Sequence, residues 1–313
     1  PTTFTVADAL QDYLEWMEHH RKSAHDARCR VNALILPALG HRKVIQLTAT
    51  HIRQWLNDLV NTPAKHRAPA TDPDAIRKRK ATANRTLNLL KAALNRAWRE
   101  GQVADDGAWR RVKPFPQVSA ARLRWLTLEE AQRLVNASGP GLRELVQTAL
   151  MTGCRFGELA RLVTSDFNPE SGLLRVAESK SGRSRHVVLT EEGATLMTRL
   201  TRGKARDEPL LNPRPGQSWT PNLYQRPLQR ACENARIDPP ISLHGLRHTY
   251  ASLSVMAGMP LLVLATNLGH RDTRMVERHY GHLAPSYVHD AVRAHAPRFG
   301  SLLNENVVKL HSL

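Results

Sequence analysis

Apolar side chains recur at spacings of three and four through the first hundred residues, and that period predicts helices there. From Phe4 to Glu18 the stripe is Val6, Leu10, Tyr13, Leu14 and Met17. Thr48 to Leu59 repeats it behind a threonine start. Pro63–Pro73, rich in Pro, Ala and charge, reads as loop, and a long helix follows over Ile76–Arg99. Gly101–Arg122 carries Gly, Pro and Asp breakers and reads as a linker. Thr127-Leu128-Glu129-Glu130 is a capping box at a helix start, and helices continue to about Leu162. Leu173–Leu189 changes to short β-favouring runs around Ser179-Lys180-Ser181-Gly182, which predicts a small antiparallel sheet with Lys180 at a tight turn. After the prolines 209, 213 and 215, helices are expected near Pro221–Ala235, Leu243–Ala257, Pro260–Leu268, Thr273–Tyr280 and Pro285–His295. No internal repeat or low-complexity tract interrupts the chain. The expected division is a helical domain over 1–105, a linker over 106–122, a second domain over 123–298 and a tail over 299–313.

The helix over Ile76–Arg99 carries eight Lys or Arg and no acid. At 100° per residue Leu87, Leu90, Ala93, Leu94, Ala97 and Trp98 share one arc, while Arg85, Asn88, Lys91, Asn95, Arg96 and Arg99 share the opposite one. An ordinary solvated face mixes both signs. One packed face and one basic-amide face suit a helix laid against phosphates, so Arg77, Lys78, Arg79, Lys80, Arg85, Lys91, Arg96 and Arg99 are the expected DNA contacts. The whole chain agrees: 45 Lys and Arg against 28 Asp and Glu give +17 over 313 residues. A chain this basic points to a polyanion, nucleic acid before membrane. No apolar run approaches the roughly 18–20 residues of a membrane span, and no secretory start is present. Cys29, Cys154 and Cys232 are scattered and suit neither a disulfide framework nor a thiol metal site, which fits a reduced cytoplasm. The chain opens at Pro1 without a methionine, as a fragment or a processed form would.

The candidate chemistry lies in the second half. Tyr280 stands in Arg278-His279-Tyr280-Gly281-His282, behind Arg155, Lys180, His244, Arg247 and His270. In-line attack on a phosphodiester gathers charge on its two non-bridging oxygens, and guanidinium forks match that geometry at any working pH. Arg155 and Arg247 are assigned to it. A leaving 5′-oxygen needs a proton, and a lysine near two guanidiniums gives one up readily, which fits Lys180. Tyr280 must lose its proton, with His244 the expected acceptor, while His270 donates to a phosphate oxygen. Glu158 shares a helix face with Arg155, which lets its carboxylate brace a nearby catalytic group as a supporting residue. His248, His279 and His282 have two readings, contact with catalytic residues or packing, and packing is the favoured one. His244 and His248 are four apart, but Gly245 stands where a zinc protease has Glu, so no metal is expected. No cofactor is expected either, because a covalent phosphotyrosine conserves the bond energy. Among the other tyrosines, Tyr13 lies in the first domain, Tyr250 reads as buried, and Tyr287 follows a proline seven residues late.

At these residues the chain resembles the tyrosine recombinase, or phage integrase, family. The order Arg155, Glu158, Lys180, His244-x-x-Arg247, His270, Tyr280 matches the family motif, and Gly182-Arg183-Ser184-Arg185-His186-Val187-Val188-Leu189 is similar to its strand after the hairpin lysine. The likeness is strong over about 125–290 and general before that. It implies a mainly α fold: a helical core-binding domain and an α-rich catalytic domain with a small antiparallel sheet. It implies a site-specific recombinase that cuts and rejoins a double-stranded attachment site through a 3′-phosphotyrosyl link and acts as a homotetramer on DNA. Accessory DNA-bending proteins are candidate helpers, the place of action is the cytoplasm of a bacterial or phage host, and an arm-binding domain is a candidate preceding part. The apolar tail Ser301–Leu313 is expected to pack on its own domain or on a neighbour. A related nicking topoisomerase and a non-catalytic DNA-binding regulator are the alternatives.

Overall fold

The computed structural model describes residues 3–62, 72–116, 118, 124–177, 184–283 and 292–297. The chain is mainly helical, with one three-stranded sheet. It divides into two compact units, Pro1–Ala121 and Arg122–Leu313.

In the first unit, α1 (Val6–His20) starts on a capping box between Thr5 and Asp8. α2 (Ala24–Leu34) follows, and then α3 (Ala49–Asn61), capped by the Thr48 hydroxyl. α4 (Pro73–Arg99) begins three residues before the sequence predicts. Asp72 caps it and Pro73 fills its first turn, where the missing N–H costs nothing. Leu10, Leu14, Ile52, Trp55, Leu87, Leu90 and Leu94 meet in one core.

The expected linker begins differently. Gly107–Arg110 forms α5, and Trp109 and Val112, each 1% exposed, close the core of this unit. Residues 107–116, and Val118, then run along the polar side of α4. Asn84 bonds both backbone groups of Phe115, at 2.9 and 2.8 Å, and Asn95 accepts from the Trp109 indole at 2.7 Å. Lys91 donates to the Val112 carbonyl and Arg77 to that of Val118. Lys91 and Arg77, expected to contact DNA, thus satisfy carbonyls of this strap instead. Trp98, expected on the packed arc, is 42% exposed, one position beyond Ala97, the last buried residue of the helix.

The second unit opens with α6 (Leu128–Ala137), whose Thr127–Glu130 capping box forms as the sequence predicts. α7 (Leu142–Thr152) packs against α6 and leads into the short α8 (Phe156–Leu159). Strands β1 (Phe167–Asn168), β2 (Leu173–Val176) and β3 (Arg185–Val188) form an antiparallel sheet, with Leu174 opposite Val187 in its interior. The turn with Lys180 and Arg183 lies outside the described residues. α9 (Glu191–Thr201), α10 (Pro221–Asn234), α11 (Leu243–Met256), α12 (Leu261–Leu268) and α13 (Arg274–Tyr280) complete the unit. α11 packs along α7, and a smaller core of Ala251, Val255, Leu264, Leu268, Val276 and Tyr280 joins α11 to α12 and α13. Most of the helix expected over Pro285–His295, and the tail Ser301–Leu313, lie outside the described residues. No described helix is long and apolar enough to cross a membrane.

Candidate active site

Two helices end on left-handed glycines, and both ends serve Arg247. Gly153 closes α7 at φ 61° and Gly269 closes α12 at φ 71°, a backbone region that other residues adopt only with strain. A Cβ on Gly153 would stand 2.5 Å from the Tyr250 ring, and one on Gly269 2.8 Å from Arg185 Nη1. Arg247, one turn into α11 and 3% exposed, donates to the Gly153 carbonyl at 2.6 Å and to the Leu268 carbonyl at 2.9 Å. These carbonyls belong to the negative ends of two helices, where a cation is favoured. Burial, with Arg155 nearby, lowers Arg247 to about 10, which leaves it cationic at neutral pH.

Arg247 also places His270. Its Nη2 lies 2.9 Å from His270 Nε2, and because a guanidinium only donates, that nitrogen is the acceptor. Burial and the positive field of Arg247 and Arg155 bring His270 down to about 4, so it is neutral. The donor expected of His270 is therefore Nδ1. Of Arg247's five N–H groups, three are engaged here, which leaves two for a ligand.

Arg155 is the N-cap residue of α8, set there by the turn at Gly153. Glu158 accepts from its backbone N at 2.8 Å and from its Nη1 at 3.0 Å. On the other side Arg185 of β3 spans both carboxylate oxygens, at 3.1 and 2.9 Å. Burial alone would raise the Glu158 pKa; the hydrogen bonds from Arg185 and Arg155 outweigh it and hold the carboxyl at about 2. Asn267 completes the frame: its side chain accepts from Val188 N and donates to Tyr250, and its carbonyl accepts from Arg185 Nε.

Tyr280, the last residue of α13, is 4% exposed, and its hydroxyl lies 2.5 Å from His248 Nδ1. The sequence points to His244 as the acceptor, but the structure puts His248 there. The two rings share one face of α11 a turn apart, edge to face at 4.7 Å, and α13 packs at the level of His248. His244 keeps one side open to solvent, while desolvation by the atoms packed around its ring, then Arg247 and Arg155, lowers its pKa. Burial, then His244, His279 and Arg247, takes His248 down to about 4, while burial pushes Tyr280 up to about 12. Those values keep the proton on the phenol, donated to a neutral imidazole.

Arg155 bonds Glu158 directly and Arg247 bonds His270 directly, while Tyr280 meets His248, the residue next to Arg247 in the chain. Sequence reasoning gave Arg185 no role and favoured packing over catalytic contact for His248. His248 follows Arg247 and lies one turn from His244, while Arg185 is the one basic residue of β3 that faces inward, at 10% side-chain exposure.

The expected DNA contacts of α4 divide. Arg79 donates to the Leu59 and Thr62 carbonyls, Lys91 to Val112, and Arg96 pairs with Glu100 beside the Trp16 ring. Arg77 pairs with Asp74 and Val118, and Lys80 lies over Phe115. Their charged groups are held within the first unit. Lys78, Arg85 and Arg99 keep open flanks, although Lys78 also pairs with Asp74.

A helical fold with one small sheet, gathering arginines, histidines and a tyrosine, is the architecture of enzymes that recombine DNA. The profile of the phage integrase family matches residues 124–286, about half the chain, and the chain belongs to that family. It is a tyrosine recombinase, an enzyme of DNA strand cleavage and rejoining. It is 28% identical over 279 residues to the tyrosine recombinase XerA of Saccharolobus solfataricus, covering 81% of this chain and 86% of that one. To the integrase of Salmonella phage P22 it is 26% identical over 317 residues, covering 92% and 79%. The lambda integrase tetramer bound to a Holliday junction shares the fold, with a TM-score of 0.70 at 20% identity over 88% of this chain and 77% of that one.

Proposed function

We propose that the second unit cuts attachment-site DNA by in-line attack of Tyr280 on one phosphodiester. The Tyr280 Oη–phosphorus bond forms as the bond from phosphorus to the 5′-oxygen breaks. The phenol proton passes to His248 Nδ1, and the departing 5′-oxygen takes a proton from Lys180. Two cations, Arg155 and Arg247, balance the charge that gathers on the non-bridging oxygens. His270 donates to one of those oxygens through Nδ1, and His244, on the exposed side of the same helix turn, to another. Reversal of these steps by the 5′-hydroxyl of a partner strand rejoins the DNA with no external energy source.

The observation that carries this reading is the Tyr280–His248 pair, 2.5 Å apart and one residue from Arg247. At 4% exposure Tyr280 does not present itself to solvent, so a shift of α13 accompanies engagement of the scissile phosphate. Exchange between two duplexes requires four cleavages, and the lambda integrase seen as a tetramer on a Holliday junction supports the same assembly here. We assign residues 1–105 to gripping the duplex and the catalytic work to 123–298, in a bacterial or phage-host cytoplasm, with accessory DNA-bending proteins as helpers.

The test is a nicked duplex of the attachment sequence that traps the covalent adduct. Wild-type protein accumulates a protein–DNA band insensitive to chelators, and Tyr280→Phe accumulates none. A band of equal intensity with Tyr280→Phe would remove Tyr280 as nucleophile. Relaxation of supercoils without product exchange would move the reading to a topoisomerase.

A further inference from the structure

Glu158 is buried, yet every position its carboxylate can offer is taken. Oε1 accepts from Arg155 Nη1 at 3.0 Å and Arg185 Nη1 at 3.1 Å; Oε2 accepts from the Arg155 backbone N at 2.8 Å and Arg185 Nη2 at 2.9 Å. An ionised carboxylate has about four such positions, so this one is full. Arg185 supplies half of the donors. It reaches in from β3 with 10% of its side chain exposed, anchored by its Nε on the Asn267 carbonyl. Arg155 in turn gives Glu158 one side-chain nitrogen and keeps 36% of its side chain exposed.

A guanidinium fork pairs bidentately with a carboxylate whenever both oxygens are free to receive it. With Arg185 gone, Glu158 would offer two unfilled positions beside Arg155, in a setting where an unmatched buried charge is costly. The Arg155 fork would then turn inward onto Glu158. We propose that Arg185 is a positioning residue for strand cleavage: by filling Glu158, it keeps the Arg155 guanidinium turned outward for the scissile phosphate. This rests on the phosphate-binding role given to Arg155 above. Arg185 acts through Glu158 and has no contact with Tyr280. A purely structural role, such as anchoring β3, makes a different prediction, because loss of the carboxylate as well would then bring no relief.

The experiment uses the full chain on the nicked duplex, measuring single-turnover adduct formation at saturating DNA, with DNA affinity and melting temperature in parallel. Arg185→Gln is expected to slow adduct formation by roughly 10- to 100-fold with DNA affinity unchanged, the signature of an interaction lost in the transition state. Adding Glu158→Gln should restore about tenfold of that loss, the non-additivity expected inside one network. If Arg185→Gln is unfolded at the assay temperature, Arg185→Lys with and without Glu158→Gln makes the same comparison, since an ammonium keeps the charge but cannot span both oxygens. A methylphosphonate at the scissile position gives a second readout: it lacks the charge that Arg155 neutralises, so the rates of the variant and the wild type should converge. The proposal is overturned by a single variant at the wild-type rate, by a double variant as slow as the single or slower, or by a gap that persists on the methylphosphonate. A wild-type protein that forms no adduct would remove the cleavage reading and this proposal together.

Discussion

His248, His270 and Glu158 hold their charge states far from ordinary values, and each ties the fold to a stretch of pH. Burial, helped by neighbouring cations, brings both histidines from 6.5 to about 4. An unfolded chain binds a proton at each as the pH falls through 6.5, while the native state refuses it until about 4. Stability therefore declines as pH drops across that window. Glu158 acts lower: its carboxyl stands at about 2 against 4.5, so its contribution is lost only between those values. Thermal melting followed from pH 7 to 4.5 should show a falling midpoint, and His248→Gln with His270→Gln should flatten the curve. A wild-type midpoint constant over that range would show that neither imidazole is held neutral. An acceptor near 4 does not take a proton from a donor near 12, so Tyr280 rests protonated, and in the proposed reaction bond formation to phosphorus is what makes the phenol acidic enough to release it.

The long helix α4 shows how far its residues announce the structure. Its apolar stripe, like those of α1 and α3, follows the 3.6-residue period, and Leu87, Leu90 and Leu94 are buried as the spacing predicts. The capping box at Thr127 was equally readable, because its geometry is local. What was not readable depends on contacts between distant segments. α2 buries only Ala27 and Val31, too few to draw a stripe. The strap over 107–116 hides Trp109 and Val112 among breakers, and its bonds to Asn84 and Lys91 reach back 31 and 21 positions. The Tyr280–His248 contact spans 32 positions between α13 and α11, which is why the sequence favoured packing over catalytic contact for His248. The strap has a measurable consequence. Asn84 supplies both partners of the Phe115 backbone, so Asn84→Ala strands a donor and an acceptor and should lower stability by about 1–3 kcal/mol. Chemical denaturation measures this, and a loss near zero would mean that water replaces Asn84 and that the strap is not held from α4.

Charge is the property of the whole molecule that bears most directly on DNA, and its net value of +17 overstates the cations free to meet phosphate. In α4, Arg79, Lys91 and Arg96 are spent on carbonyls and on Glu100, and burial lowers the Lys91 pKa, a sign that its ammonium is sheltered from solvent and not offered to a ligand. Arg85 and Arg99 are exposed and bear no carboxylate, so they are the residues of this helix that can release counterions on binding. Each phosphate neutralised contributes about 0.9 to the slope of log affinity against log salt. Arg85→Gln with Arg99→Gln should therefore make that slope shallower by about 1.8, weakening specific and non-specific duplexes alike. Lys91→Gln should leave the slope unchanged and lower the melting temperature, because its bond to Val112 belongs to the fold. Tyr280→Phe should alter neither. Fluorescence anisotropy from 50 to about 300 mM salt separates the three, the range over which phosphate contacts dominate the change in affinity. A slope unmoved by loss of both arginines would take α4 off the DNA.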